Sequence, residues 1–440
     1  MWKSTQKRVS FFTIFLLFWI NGLLANNLQT SNLQIVSVDT LGQYAELSFD
    51  VGWDNSWRDA THWDAVWIFV KFQEAGNTGA WQHCSLNYVN GNNDGHTAVA
   101  GAEINTPADG RGVFLYRDAI GSGNVNFNGN RLRWNFAADG LTTADFVSLR
   151  LYAVEMVYVP QGAFYVGDGQ MSVGEIYANF EAGTSGSPFQ ITSEAGFTLG
   201  GGGSGSLGNN NGVNVQPGGI GASVDDFGDA VSQNLPGAFP KGFEAFYCMK
   251  YEMTQQQFVD MLNCSTPVQQ TFLAATGHFY TNATLVADRY GISESGGVYS
   301  TSEPYLPMIF CDWLRAAAYG DWAGLRPMTE LEFEKACRGT TVPVVNEYAW
   351  GNGNIDLSDN LTLNNLSLPN EGIASGYDMG GINGNAWVRA SGQQMQYVAR
   401  VGVFSAHSGN TGRVSSGATV WGIMEMSGNA WERAVSVGHP

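Results

Sequence analysis

Leu325-Arg326-Pro327-Met328-Thr329-Glu330-Leu331-Glu332-Phe333-Glu334-Lys335-Ala336-Cys337-Arg338-Gly339 is the stretch on which the fold of this chain can first be read. Pro327 fixes a turn by locking φ. Thr329 followed three residues later by Glu332 is a capping box. Glu330, Glu332 and Glu334 suit the positive N-terminal end of a helix, and Gly339 is a stop signal. The pattern predicts a short helix over about 330–338, launched from a fixed turn. That structural task accounts for most of the motif, so neither Glu330 nor Glu332 is assigned a catalytic role.

Two more helices carry the same kind of start. Thr254 with Gln257 is another capping box, and Phe258, Met261 and Leu262 give a buried stripe. Asp312 caps a helix running to about Trp322, with Trp313, Ala317 and either Tyr319 or Gly320 facing inward. Downstream stand Tyr348-Ala349-Trp350-Gly351-Asn352 and Gly422-Ile423-Met424-Glu425-Met426-Ser427-Gly428-Asn429-Ala430-Trp431-Glu432-Arg433.

In order and spacing these motifs resemble the formylglycine-generating enzyme (sulfatase-modifying factor) family, with its patterns R-L-P-T-E-x-E-W-E-x-A-x-R-G, P-W-G-N and G-L-x-D-M-x-G-N-x-W-E-W. Glu155 to Asp168 is similar to that family's opening strand, so the resemblance runs from about Met156 to Pro440. Phe333, Cys337 and Arg433 depart from the usual Trp, Ala and Trp. The resemblance implies a fold like that of C-type lectins, with much irregular backbone held by calcium. It also implies a copper- and O₂-dependent oxidation of a client cysteine to formylglycine by a two-thiolate Cu(I) site. The family's cysteine pair lies after the G-N-x-W-E motif, near an R-G-G-S-W-type segment, which falls beyond Pro440. The five cysteines present, Cys84, Cys248, Cys264, Cys311 and Cys337, match neither position.

The loop from Glu425 to Glu432 is the candidate metal site. Two carboxylates flank Gly428, Asn429 and Ala430, whose small size lets backbone carbonyls turn inward, and hard oxygen donors of both kinds suit Ca²⁺. The resemblance implies calcium held by Glu425, Gly428, Ala430 and Glu432, with Glu425 where Asp or Asn is usual. The bland alternative pairs both glutamates with Arg433 or solvent. A second family calcium site would fall near Asp359, Asn360, Leu361 and Asp378. Gly384 to Ala390 echoes Gly428 to Ala434 but has Val388 in place of the acid, as a coincidence or a non-binding copy. The scattered histidines form no H-E-x-x-H or facial-triad spacing, and no serine-hydrolase elbow occurs. Gly203 to Gly208 matches G-x-G-x-x-G without the strand and helix a phosphate loop needs.

Lys3, Lys7 and Arg8 precede an apolar run from Phe11 to Ile20 and small residues to Ala25, the plan of a signal peptide over 1–25. An uncleaved N-terminal anchor is the alternative. No cysteine marks a lipoprotein site, and no later segment is apolar enough to span a bilayer. Loss of the leader takes three bases and no acid, moving the net charge from −18 to −21. That excess of acid argues against nucleic acid or anionic membrane as partner. An exported chain permits disulfides; Cys248 with Cys264 and Cys311 with Cys337 are the pairs considered, against free buried thiols.

Residues from about Leu33 to Val157 read as strands. Ala45 to Val51 alternates, and Val66 to Phe72 puts Val66, Ile68, Val70 and Phe72 on one face. Gly112 to Tyr116 and Val147 to Val154 continue the series, with turns at Gly91-Asn92 and Asp109-Gly110. The expected architecture is α+β: an N-terminal β-sandwich over 26–155, then the formylglycine-generating-enzyme-like domain over 156–440. A Gly/Ser/Asn-rich stretch, about 168–241, reads as a loop insertion. Trp53, Trp57, Trp63 and Trp67 either fill the sandwich core and rim or form a sugar-stacking platform.

Two functions follow: a secreted, calcium-stabilised binding or structural module taking a protein or glycan ligand, or a copper oxidase using cysteines beyond Pro440. The long insertion and the extra β-region favour the module.

Overall fold

The computed structural model describes residues 27–77, 79–169, 179–210, 232–274, 289–356, 362–375, 383–387, 398–406, 410 and 412–437. The signal peptide expected over 1–25 and the second calcium candidates Asp359, Asn360, Leu361 and Asp378 lie outside the described residues.

The first half is strands: β1 (Gln29–Asp39), β2 (Tyr44–Arg58), β3 (Asp64–Glu74), β4 (Gln82–His83), β5 (Ala102–Asn105), β6 (Val113–Arg117), β7 (Gly121–Trp134) and β8 (Val147–Val159). One sheet has the order β1-β2-β7. The other runs β15-β8-β3-β6-β5, with β4 on β3 and with β15 (Phe246–Met249) arriving from far downstream. Leu47, Phe49, Val51 and Trp53 of β2 share one cluster with Val66, Ile68, Val70 and Phe72 of β3. The alternate β3 residues Ala65, Trp67 and Phe69 enter a second cluster. A strand buried on both faces has to read as an unbroken apolar run, and β3 does.

The second cluster is built with the helices. These are α1 (Gln255–Leu262), α2 (Pro267–Ala274), α3 (Trp313–Ala323) and α4 (Glu330–Arg338). Phe258, Met261 and Leu262 of α1 and Tyr319 and Ala323 of α3 pack on Trp67 and Phe69. The Trp67 indole N–H donates to the Ala323 carbonyl at 2.8 Å. Both capping boxes form as their sequences require: Thr254 with Gln257, and Thr329 with Glu332. Asp312 caps α3 by accepting from the Arg315 N–H. Trp313, expected inward, is 43 % exposed instead, while Arg315 takes the buried position and donates to the Leu273 carbonyl. The guanidinium closes the end of α2, a polar demand that an apolar-stripe reading does not see.

The stretch expected as a loop insertion contains strands among its described residues. After β9 (Phe164–Val166) come β10 (Asn179–Ala182), β11 (Phe189–Ile191), β12 (Phe197–Leu199), β13 (Leu207–Asn210) and β14 (Gln233–Leu235). The order β10-β13-β12-β14 makes one small sheet, and β11 pairs with β9. Phe189, Ile191, Leu199, Leu207 and Leu235 bury with Phe164, Leu331 of α4 and Val437. Strands of three or four residues are too short to show a period, and glycines at positive φ (Gly183, Gly200, Gly201, Gly202) turn the chain between them. Two hairpins, β16 (Ile292–Ser295) with β17 (Val298–Thr301) and β18 (Thr362–Asn364) with β19 (Gly372–Ser375), complete the regular structure.

All five cysteines are free, so neither Cys248–Cys264 nor Cys311–Cys337 is bridged. Cys264 instead lies 3.0 Å from the Tyr152 hydroxyl. The tryptophans are structural contacts: Trp53 and Trp67 are buried, and Trp63 stacks on Tyr158 at 4.0 Å. Trp57 meets His62, which meets Trp421 at 5.5 Å, so these rings join the front strands to the last motif. Among the described residues no helix is long and apolar enough to cross a membrane.

Candidate metal centre

The backbone from Gly422 to Arg433 has almost no regular structure, and it is held by side chains and carbonyls from elsewhere. The Met424 N–H donates to the Lys250 carbonyl (2.9 Å) and the Asn429 N–H to the Trp387 carbonyl (2.8 Å). The echo motif at 384–390 thus supports the real one, through the residue just before its missing acid. Glu425 and Asn429 have φ of 56° and 63°, and Gly428 has φ of 124°. A glutamate in the left-handed region is uncommon and has to be held there; the Gly402 N–H to Glu425 Oε1, at 2.8 Å, does so.

Glu425, Gly428, Ala430 and Glu432 all lie in this loop. Glu425 Oε2 and Glu432 Oε1 are buried without a hydrogen-bond partner. Burial pushes the Glu425 carboxyl up to about 8, with Glu432 adding to it and the Gly402 N–H and Arg400 opposing. Burial likewise pushes Glu432 up to about 7. Arg433 does not relieve them: its Nε donates to the Cys311 carbonyl at 2.9 Å.

A third carboxylate, Glu252, was not found from the sequence. It sits between β15 and the cap of α1, and burial followed by Glu425 and Glu432 raises its pKa well above the usual carboxylate range. Glu252 Oε1 accepts from the Ala430 N–H and Oε2 from the Asn429 side-chain amide, both at 2.6 Å. An acid two residues before a capping-box threonine was the one local hint, and it is indistinguishable there from a solvated side chain.

Two buried, unpartnered carboxylate oxygens on one loop suit a hard divalent cation. The Gly428 and Ala430 carbonyls accept no hydrogen bond among the described residues, so both are available as further oxygens. Side chains alone do not suffice: among the described residues no group of three or more His, Cys, Asp or Glu side chains is close enough to hold a metal ion.

Residues 213–437 match the family model described as the sulfatase-modifying factor enzyme 1-like domain. The chain belongs to this family. No curated protein and no solved structure matches the chain. In this sulfatase-modifying-factor domain, the capped helix α4 is tied to the segment that follows the 422–433 loop. The Glu330 N–H donates to the Val435 carbonyl, the Val435 N–H to the Met328 carbonyl, and Glu330 Oε2 accepts from the Val437 N–H at 2.8 Å. Glu332 is buried against Arg326, with Nη1 at 2.8 Å, so both acids have structural partners.

Proposed function

We propose that this sulfatase-modifying-factor-like protein is exported and that its family domain is a calcium-stabilised binding or structural module, carried with an N-terminal β-sandwich. The observation that carries the calcium reading is the pair of buried, unpartnered oxygens on Glu425 and Glu432. Glu425, Glu432 and the carbonyls of Gly428 and Ala430 would hold the ion, which would supply charge neutralisation and cross-link the loop. Burial raises the pKa of all five cysteines, to about 12 for Cys248 and Cys311, an environment that does not favour these particular thiols as copper ligands. A protein or glycan is the ligand class such a module would take.

A site present only in the folded state adds RT ln(1 + [L]/Kd), about 2.7 kcal/mol at a hundredfold excess over Kd. Thermal unfolding of the full chain should shift upward with calcium and downward with chelator, and Glu432→Gln should remove most of the difference. Equal melting of both proteins with and without calcium would dismiss the site. Family membership itself favours a second reading, a formylglycine-generating oxidase using copper, O₂ and cysteines beyond Pro440. An 18-dalton loss from a cysteine-containing sulfatase peptide incubated with a protein that carries those cysteines, Cu(I), O₂ and reductant would establish activity.

A further inference from the structure

We propose that Glu252 is the positioning residue of the 425–432 loop: it fixes the peptide entering Ala430 through the two hydrogen bonds it accepts, without binding the cation itself. This rests on the calcium reading above.

Three observations carry it. Both Glu252 oxygens receive N–H donors of the loop at 2.6 Å, whereas Glu425 Oε2 and Glu432 Oε1 receive none. The residue it grips is pinned on every side. Asn429 Oδ1 accepts from the Ala399 N–H (3.0 Å), its Nδ2 donates to the Ala399 carbonyl (3.2 Å) as well as to Glu252, and its own N–H reaches Trp387. That grip holds Asn429 at a φ of 63° and sets where the Ala430 carbonyl departs. Finally, among the described residues the carboxylates form no group of three that could hold a metal by side chains. With both of its oxygens engaged by N–H donors of the loop, Glu252 is assigned the outer place, and Glu425 and Glu432 the inner one. Calcium affinity rises with the charge and rigidity of its surroundings, and loss of an outer partner of this kind typically weakens metal binding 10–100-fold.

Tb³⁺ is a suitable probe, because Trp431 lies between two of the presumed donors and can sensitise its luminescence. Titrate the full chain and its Glu252→Gln and Glu432→Gln variants with Tb³⁺, displace with Ca²⁺, and count bound waters from lifetimes in H₂O and D₂O. Glu432→Gln should lose sensitised emission. Glu252→Gln should bind both ions at least about tenfold more weakly with the same number of bound waters. An affinity within twofold of the unaltered protein overturns the inference. So does one additional bound water, which would make Glu252 a ligand. No sensitised emission from the unaltered protein sinks the calcium reading, and this inference with it. Emission from the unaltered protein with an unaffected Glu252→Gln sinks this inference alone. If Glu252→Gln does not fold, Asn429→Gly keeps the left-handed backbone while releasing Glu252 Oε2. It too should bind more weakly, and an unchanged affinity overturns the proposal.

Discussion

Gly384 shows how much a single missing side chain decides here. A Cβ at this position would lie 1.9 Å from Trp350 Cε2, and Trp350 is buried with its indole N–H on the Asn354 carbonyl. Neither ring nor strand has room to move. Gly384→Ala should cost at least about 2–3 kcal/mol, as overpacking does, and lower the urea midpoint. Gly205→Ala, which meets nothing within 4 Å, is the control and should leave it unchanged. Both Trp350 and Gly384 stood in quoted motifs, but nothing in either motif pairs them. The metal candidates Glu425 and Glu432 could be named together because they share one short loop. Glu252 was not, since its partner Ala430 lies 178 positions away.

At the level of elements, what is local was readable and what is shared was not. The capping boxes of α1 and α4 need four consecutive residues, and both formed. The inward face of α3 depends on what α2 leaves unsatisfied, and there Trp313 was misjudged. The α1 helix carries a further cost hidden from pattern reading. Asp260 lies beside Tyr319 and Trp322 at a small cavity, and burial pushes its carboxyl up to about 7, against the hydrogen bond from Gln256. A carboxyl with a raised folded-state pKa favours the fold only while protonated. Its contribution is whole below the unfolded value near pH 4 and is lost as pH climbs through about 7. Asp260→Asn should therefore melt like the unaltered protein at pH 4 and several degrees higher at pH 8. Parallel melting curves across that window would show that the carboxylate is solvated.

For the whole molecule, composition and alternation indicated a strand-rich front and a family domain behind it. They did not indicate that the two share a sheet. β8 crosses residues 155 and 156 without a break, Met156 to Val159 pairing with Met249 to Phe246 of β15 on one side and Val147 to Val157 with Glu74 to Asp64 of β3 on the other. Lys250 adds a buried bond across the same seam, 3.6 Å from both Asp64 and Glu155. A fragment beginning at residue 160 would strip β15 of its neighbour and expose Phe258, Met261, Leu262 and Tyr319. It should be recovered as aggregate, or expanded and cooperatively unstructured by circular dichroism. A sharp unfolding transition in that fragment would show that the rear half stands alone.

The unbroken β8 ladder also bears on how such a gene could change. Domains are exchanged at exposed linkers that few contacts cross. A crossover at the boundary suggested by the motifs would cut through paired backbone on both sides of one strand. Ancestry would then tend to carry the front strands and the family domain as a linked unit, and chimaeras joined at residue 156 should be selected against. Junctions near Pro236 to Pro240, beyond β14 and before β15, would split the ladder as well, because β15 finds its partner behind it. Shuffling would have to take place outside the whole span from Asp64 to Met249, and a successful graft would bring both ends of that span from the same parent.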